Sequence, residues 1–186
     1  MEKKSQKILI YVIMGLLSFA GIYSEIVMCI QRQTFPYVAE MIVTCIMFVL
    51  IAFYAVSNFK VPHGNLLKYL FLTFAVMCFV GLLATDPNSS SANGDLYVLQ
   101  ISRGVVVILS TYMSGRLDRI KQNTVFAVIC AILLFATSIK VLLLHKVYNL
   151  VFILFETNFF ILWIDLVIAY LFRYKEHKEA GLADKA

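Results

Sequence analysis

The segment 124–172, TVFAVICAILLFATSIKVLLLHKVYNLVFILFETNFFILWIDLVIAYLF, decides the fold. It contains two apolar runs, 124–144 and 150–172, parted only by His145, Lys146, Val147, Tyr148 and Asn149. A helix rises 1.5 Å per residue, so about 20 apolar residues cross about 30 Å of hydrocarbon and each run is long enough for one crossing. In lipid the backbone must satisfy its own hydrogen bonds, which makes such runs helices.

Outward from this pair the pattern repeats. Apolar runs at 8–30, 37–59, 69–85 and 96–115 precede it, the third only just long enough to span. Together they leave little of the 186 residues for a folded soluble domain. Composition agrees: 61% of residues are hydrophobic and 15% charged, against about 45–50% and 25% in soluble domains. The expected fold is an all-α, polytopic integral membrane protein, one transmembrane domain over 1–186 built as a bundle of six transmembrane helices, with a short polar cytoplasmic tail at 173–186. All three prolines, Pro36, Pro62 and Pro87, fall in connections, and only eight glycines are present. No span is expected to be broken, which weighs against transporters that hold ions at unwound half-helices.

The formal charge of +5 reflects basic residues gathered at the ends of apolar runs. Twelve of the 16 Lys and Arg fall on one side: Lys3, Lys4 and Lys7, then Lys60 and Lys68, then Arg116, Arg119 and Lys121, then Arg173, Lys175, Lys178 and Lys185. Positive charge flanking spans favours the cytoplasm, so both termini are expected there and nucleic acid is not an expected partner. The expected location is the plasma (inner) membrane of a bacterium, with the lipid bilayer as the constant partner. The opposite side then carries QRQTFP at 31–36, the polar loop DPNSSSANGD at 86–95, expected to be mobile, and the His145-Lys146 turn. The Asn88-Ser89-Ser90 sequon carries no weight in a bacterium. The basic start and Ser18-Phe19-Ala20 resemble a signal peptide, but the apolar run continues to Ile30, so an uncleaved first span is expected.

Ionisable groups inside a bilayer are costly, and their positions carry most of the functional information. In span four Gln100, Arg103, Ser110 and Ser114 recur on one helical face, expected to point into the bundle. Arg103 lies about seven residues below the outer edge, about 10 Å, and needs a partner, with Glu156 the first choice and Glu25 the second. In span six Asn149, Glu156 and Trp163 share one face, and Asn158 and Asp165 share another almost opposite, so this helix is expected to be wrapped by its neighbours unless Asp165 reaches the interface near Arg173. Glu25, Glu40, Gln100, Arg103, Lys140 and Glu156 reach similar depth from five helices. An interfacial location accounts for Glu40, and less completely for Glu25 and Lys140. A water-accessible outer pocket with an internal ion pair is the sharper expectation. Its ligand-binding residues would be Arg103, Glu156, Gln100, Lys140, Glu25 and Asn158, with Trp163 or a nearby tyrosine as apolar wall and DPNSSSANGD as lid.

Much chemistry is excluded. Cys29, Cys45, Cys78 and Cys130 lie inside apolar runs without a CxxC pair, so neither disulfides nor a zinc site is expected. His63, His145 and His177 lie outside the spans and cannot sandwich a haem within the bundle. No catalytic or nucleotide-binding motif appears, and neither a metal, a cofactor nor a catalytic residue is expected. In outline the chain resembles the substrate-binding subunits of energy-coupling vitamin importers, a likeness of architecture without a shared motif. The function expected is a membrane-embedded binding or transport component for a small polar or anionic solute. The alternative is a non-enzymatic regulatory membrane protein (sensor, immunity factor or accessory subunit) with a cytoplasmic or membrane protein partner. A membrane enzyme comes third.

Overall fold

The computed structural model describes residues 2–32, 35–57, 64–84, 93–145 and 149–183. They form six helices and no strand: α1 (Glu2–Arg32), α2 (Phe35–Ser57), α3 (Gly64–Ala84), α4 (Asn93–Gly115), α5 (Ile120–His145) and α6 (Leu150–Ala183). Five contain stretches long and apolar enough to cross a membrane: Ile8–Gln31, Leu66–Leu83, Val98–Gly115, Ile120–Leu143 and Leu150–Tyr174. In α2 the corresponding apolar stretch among the described residues is the shorter Val38–Tyr54, within a helix of 23 residues. Apolar helices of this length suggest an integral membrane protein.

Consecutive helices pack side by side, α6 closes the ring on α1, and α6 also touches α2 and α3. α6 thus has neighbours on several sides along its middle. From residue 151 to 170 none of its residues is exposed, and Leu162, Trp163, Asp165 and Leu166, all within one half of its circumference, are fully buried. The core lies where α6 meets α3. Phe71 and Phe74 pack on Trp163 with ring centroids 5.8 and 5.1 Å away, and the indole Nε1 donates to the Ala127 carbonyl of α5 at 2.9 Å. The indole's single donor is thus satisfied inside the core.

The outside is apolar on every helix. Phe19, Phe53, Leu83, Ile108, Ile132 and Leu150, one from each, are exposed, Phe19 at 73%. A monomer stable in water does not leave such a surface on all sides. In lipid, burial of apolar area does not separate inside from outside, and packing, small residues and polar contacts hold helices together instead. Those contacts concentrate at two levels of this bundle.

Several element ends differ from the sequence expectation. α1 begins at Glu2, α3 at Gly64 rather than 69, and α4 at Asn93, so Asn93, Gly94 and Asp95 of the expected mobile loop are helical. α6 runs on to Ala183, so most of the tail expected over 173–186 continues the helix. Lys, Glu and Ala are good helix formers, and a helix does not stop where its apolar run stops. Residues 86–92 of DPNSSSANGD, with its sequon and lid role, and Lys146 of the His145-Lys146 turn lie outside the described residues.

Candidate functional site

The first polar level begins at α1. Gly21, Ser24 and Glu25 lie on one side of this helix and meet Asn158 of α6. The Asn158 amide Nδ2 lies 2.9 Å from Glu25 Oε1, 3.2 Å from Ser24 Oγ and 3.4 Å from the Gly21 carbonyl oxygen. Ser24 Oγ donates to the same Gly21 carbonyl at 2.8 Å. The helices approach closely here because Gly21 has no side chain. A Cβ on it would stand 2.1 Å from Phe48 Cζ of α2. Glu25 is 2% exposed, and Ser24 and Asn158 are fully buried.

Arg103 of α4 lies at the same end. Its Nη1 donates to the Gly81 carbonyl of α3, its Nη2 is 4.0 Å from Glu40 Oε1 of α2, and its guanidinium carbon sits 4.5 Å from the centre of the Phe159 ring of α6. The ion pair is long, so the carbonyl bond and the ring face carry much of the holding. Gly81 again makes the approach possible: a Cβ there would meet Phe159 Cζ at 2.8 Å, Arg103 Nη1 at 2.9 Å and Glu40 Oε1 at 3.0 Å. Glu40, which an interfacial position explained from the sequence, is 5% exposed and is a carboxylate beside Arg103. Glu156 and then Glu25 are the partners expected from the sequence, and Glu40 is not among them. Periodicity within a helix fixes a face and a depth, but it does not fix which neighbouring helix that face meets.

Glu25 lies within electrostatic reach of Glu40, Glu156 and Arg103, so three carboxyls and one guanidinium share this level. Glu156 is half-buried, and Ser138 of α5 donates to its backbone carbonyl at 2.7 Å, which brings the sixth helix into the layer. The other expected residues stand differently. Gln100 and Lys140 are half-buried, and Lys140 lines an open groove of about 540 Å³ along α5 with Phe135, Ala136, Ile139 and Leu143, none of them a residue of the polar layer. Trp163 packs in the core between α3 and α5, and the aromatic face against Arg103 belongs to Phe159. Asp165 is fully buried, and neither of its carboxyl oxygens has a hydrogen-bond partner, so it does not reach Arg173.

The serines and threonines behave as helix-packing residues. Ser110 and Ser114 are buried and donate to their own helix, to the Val106 and Thr111 carbonyls, both at 2.7 Å. Thr137 and Thr157 do likewise, to the Leu133 and Ile153 carbonyls. Such back-bonding removes a hydroxyl's cost without recruiting a ligand.

The second polar level is at the other end. Asn123 Nδ2 of α5 donates to the Arg116 carbonyl at 2.7 Å and to the Tyr170 hydroxyl of α6 at 3.0 Å, and that hydroxyl donates to the Leu117 carbonyl at 3.0 Å. These bonds pin the basic Arg116–Arg119 turn to α6. Little in the sequence announces this knot, since Asn123 precedes the apolar run and Tyr170 reads as an interfacial aromatic. Gly81, Phe159 and Ser138 were likewise missed. A signal for Gly81 was present, because a lone glycine inside an apolar helix implies close approach.

Among the described residues no group of three or more His, Cys, Asp or Glu side chains is arranged to hold a metal ion. Comparison with protein families, with curated proteins and with solved structures finds no match for this chain.

Proposed function

We propose that the protein is a membrane-embedded binding or transport component, spanning the plasma (inner) membrane of a bacterium with both termini in the cytoplasm, and that the polar layer takes a small polar solute from the outer side. One observation carries this reading: charged groups of both signs, from α1, α2, α4 and α6, are gathered at one level inside an apolar bundle. Such groups are expensive there and mark sites by default. Between a polar and an anionic solute the geometry favours the first. The guanidinium already faces Glu40, the Gly81 carbonyl and Phe159, and three carboxyls share its level. An anion would have to displace that carbonyl and compete with those acids, whereas a neutral or cationic solute would find acceptors.

The test is what the protein carries when purified in mild detergent. Native mass spectrometry is expected to show a small solute bound to the intact chain and absent from Glu25→Ala. A stoichiometric protein partner with no bound solute would overturn the proposal in favour of a regulatory membrane protein.

A further inference from the structure

The face that α6 turns toward α1 carries more than Asn158. Among the described residues, Asn158 Oδ1, both carboxyl oxygens of Asp165, Ser18 Oγ of α1 and Thr44 Oγ1 of α2 have no hydrogen-bond partner. None of these residues is near the surface: Asn158, Asp165 and Thr44 are fully buried and Ser18 is 4% exposed. Ser24, Ser110, Ser114 and Thr137 bond back to carbonyls of their own helix, so the buried oxygens left without a partner on these four side chains call for an explanation.

Their order follows from the bonds already described. Asn158 lies level with Gly21, Ser24 and Glu25. Alternating directions around the ring make α1 and α6 antiparallel. Asp165, seven residues beyond Asn158 and on the same helical face, lies about 10 Å further along the seam. Ser18, three residues before Gly21, lies about 4.5 Å further in the same direction. Asn158, Ser18 and Asp165 thus form a file leading from the polar layer into the apolar middle of the bundle, with Glu25 at its head.

The unpartnered atoms of the file are all oxygens: the amide and carboxylate oxygens can only accept, and the Ser18 hydroxyl can accept as well as donate. What stabilises a row of acceptors in an apolar interior is something that donates to it, and water supplies donors where at least two polar partners are in reach. The titratable groups of the helices packed on α6 toward this depth are Tyr11 of α1, Cys45 and Tyr54 of α2, Cys78 of α3 and Cys130 of α5. These are uncharged near neutral pH at their ordinary values. The charged groups, Glu25, Glu40, Glu156 and Arg103, belong to the layer at the head of the file.

We propose that the α1–α6 seam is a hydrated proton-binding path that ends at Asp165. A proton arriving through water held by Asn158 Oδ1 and Ser18 Oγ binds a carboxyl oxygen of Asp165, converts the carboxylate to the neutral acid, and leaves by the same route. The path deepens the proposed function, on which it rests only for its use, a coupling proton for the movement of the solute.

The test reads Asp165 directly and needs no solute, so its failure leaves the solute-binding proposal standing. Infrared difference spectra of the purified protein are recorded across a pH series in choline chloride, in H2O and in D2O. The expected result is a carboxylic-acid C=O band that is present at low pH, lost at high pH, shifted in D2O and absent from Asp165→Asn. Ser18→Ala should slow the exchange of that band into D2O. If Asp165→Asn does not fold, Asp165→Glu should move the band in frequency. A band that does not titrate, that D2O leaves unshifted, or that survives unchanged in these Asp165 variants overturns the proposal. So does a response to NaCl in place of choline chloride at fixed pH, which would make the seam a sodium site.

Discussion

Arg103 is held by three unlike contacts, and their relative weight decides what its removal does. The Gly81 carbonyl and the Phe159 face remain neutral when the guanidinium is gone, whereas Glu40, 5% exposed, is left as a buried charge without its cation. Breaking one side of a buried pair costs more than replacing both sides, because the stranded charge keeps its desolvation penalty. Arg103→Leu is therefore expected to lower stability in detergent by about 2–4 kcal/mol, and Arg103→Leu with Glu40→Gln to recover at least about 1 kcal/mol of the loss, measured as a double-mutant cycle in denaturant. The same cycle with Glu156→Gln should show the smaller coupling, and the reverse order would restore the pairing expected from the sequence. The depth of Arg103 and its need for a partner were legible in the sequence, because both depend only on position within one helix. The partner's identity was not. It depends on how α2, α3 and α4 are rotated and slid against one another, and no periodicity within a single run encodes that.

At the scale of helices, two glycines set how closely the elements approach. Gly21 lets α1 lie against Phe48 of α2 while its carbonyl receives Ser24 and Asn158, and Gly81 lets α3 meet both Arg103 and Phe159. Phe48 is fully buried and cannot swing into open space, so a methyl group at Gly21 must push α1 and α2 apart. Gly21→Ala and Gly81→Ala are each expected to lower stability by about 1–3 kcal/mol through overpacking. Nothing lies within 4 Å of a Cβ built on Gly15 or Gly104, and alanine there should be neutral or stabilising by up to about 1 kcal/mol through helix propensity. Thermal unfolding of the four variants separates these classes, and equal effects at all four would mean that propensity rather than packing governs. Six helices were legible in the sequence because the apolar runs are long and cleanly interrupted. Their ends were not, since Asn93–Asp95 and Arg173–Ala183 are polar yet continue helices whose apolar parts hold them in place. The wrapping of α6 was legible from Asn158 and Asp165 standing almost opposite Trp163, a pattern that leaves no face for lipid at that level.

For the whole molecule, an even number of helices in an alternating ring puts both ends of the chain on one side and gives the two polar levels opposite sides. Glu25, Glu40, Gly81, Arg103 and Asn158 lie toward the end of the bundle where α3 leads to α4, and the Asn123–Tyr170 knot lies where α4 turns into α5. Among the described residues Lys68, Arg116, Arg119, Lys121 and Arg173 lie toward the second side, and positive charge flanking spans is retained in the cytoplasm. The polar layer should then open outward, as uptake of a solute from outside requires. Single cysteines at Ser90, between α3 and α4, and at Asp118, in the exposed part of the α4–α5 turn, test this in a background in which Cys29, Cys45, Cys78 and Cys130 are replaced. An impermeant thiol reagent applied to intact cells should label position 90 and should reach position 118 only after the membrane is opened. Asp118 suits this use because its side chain is exposed and makes none of the contacts that pin the turn to α6. Labelling of position 118 alone in intact cells would turn the molecule over. The polar layer and the mouth of the α1–α6 seam would then face the cytoplasm, and the solute bound there would have to be one that leaves the cell.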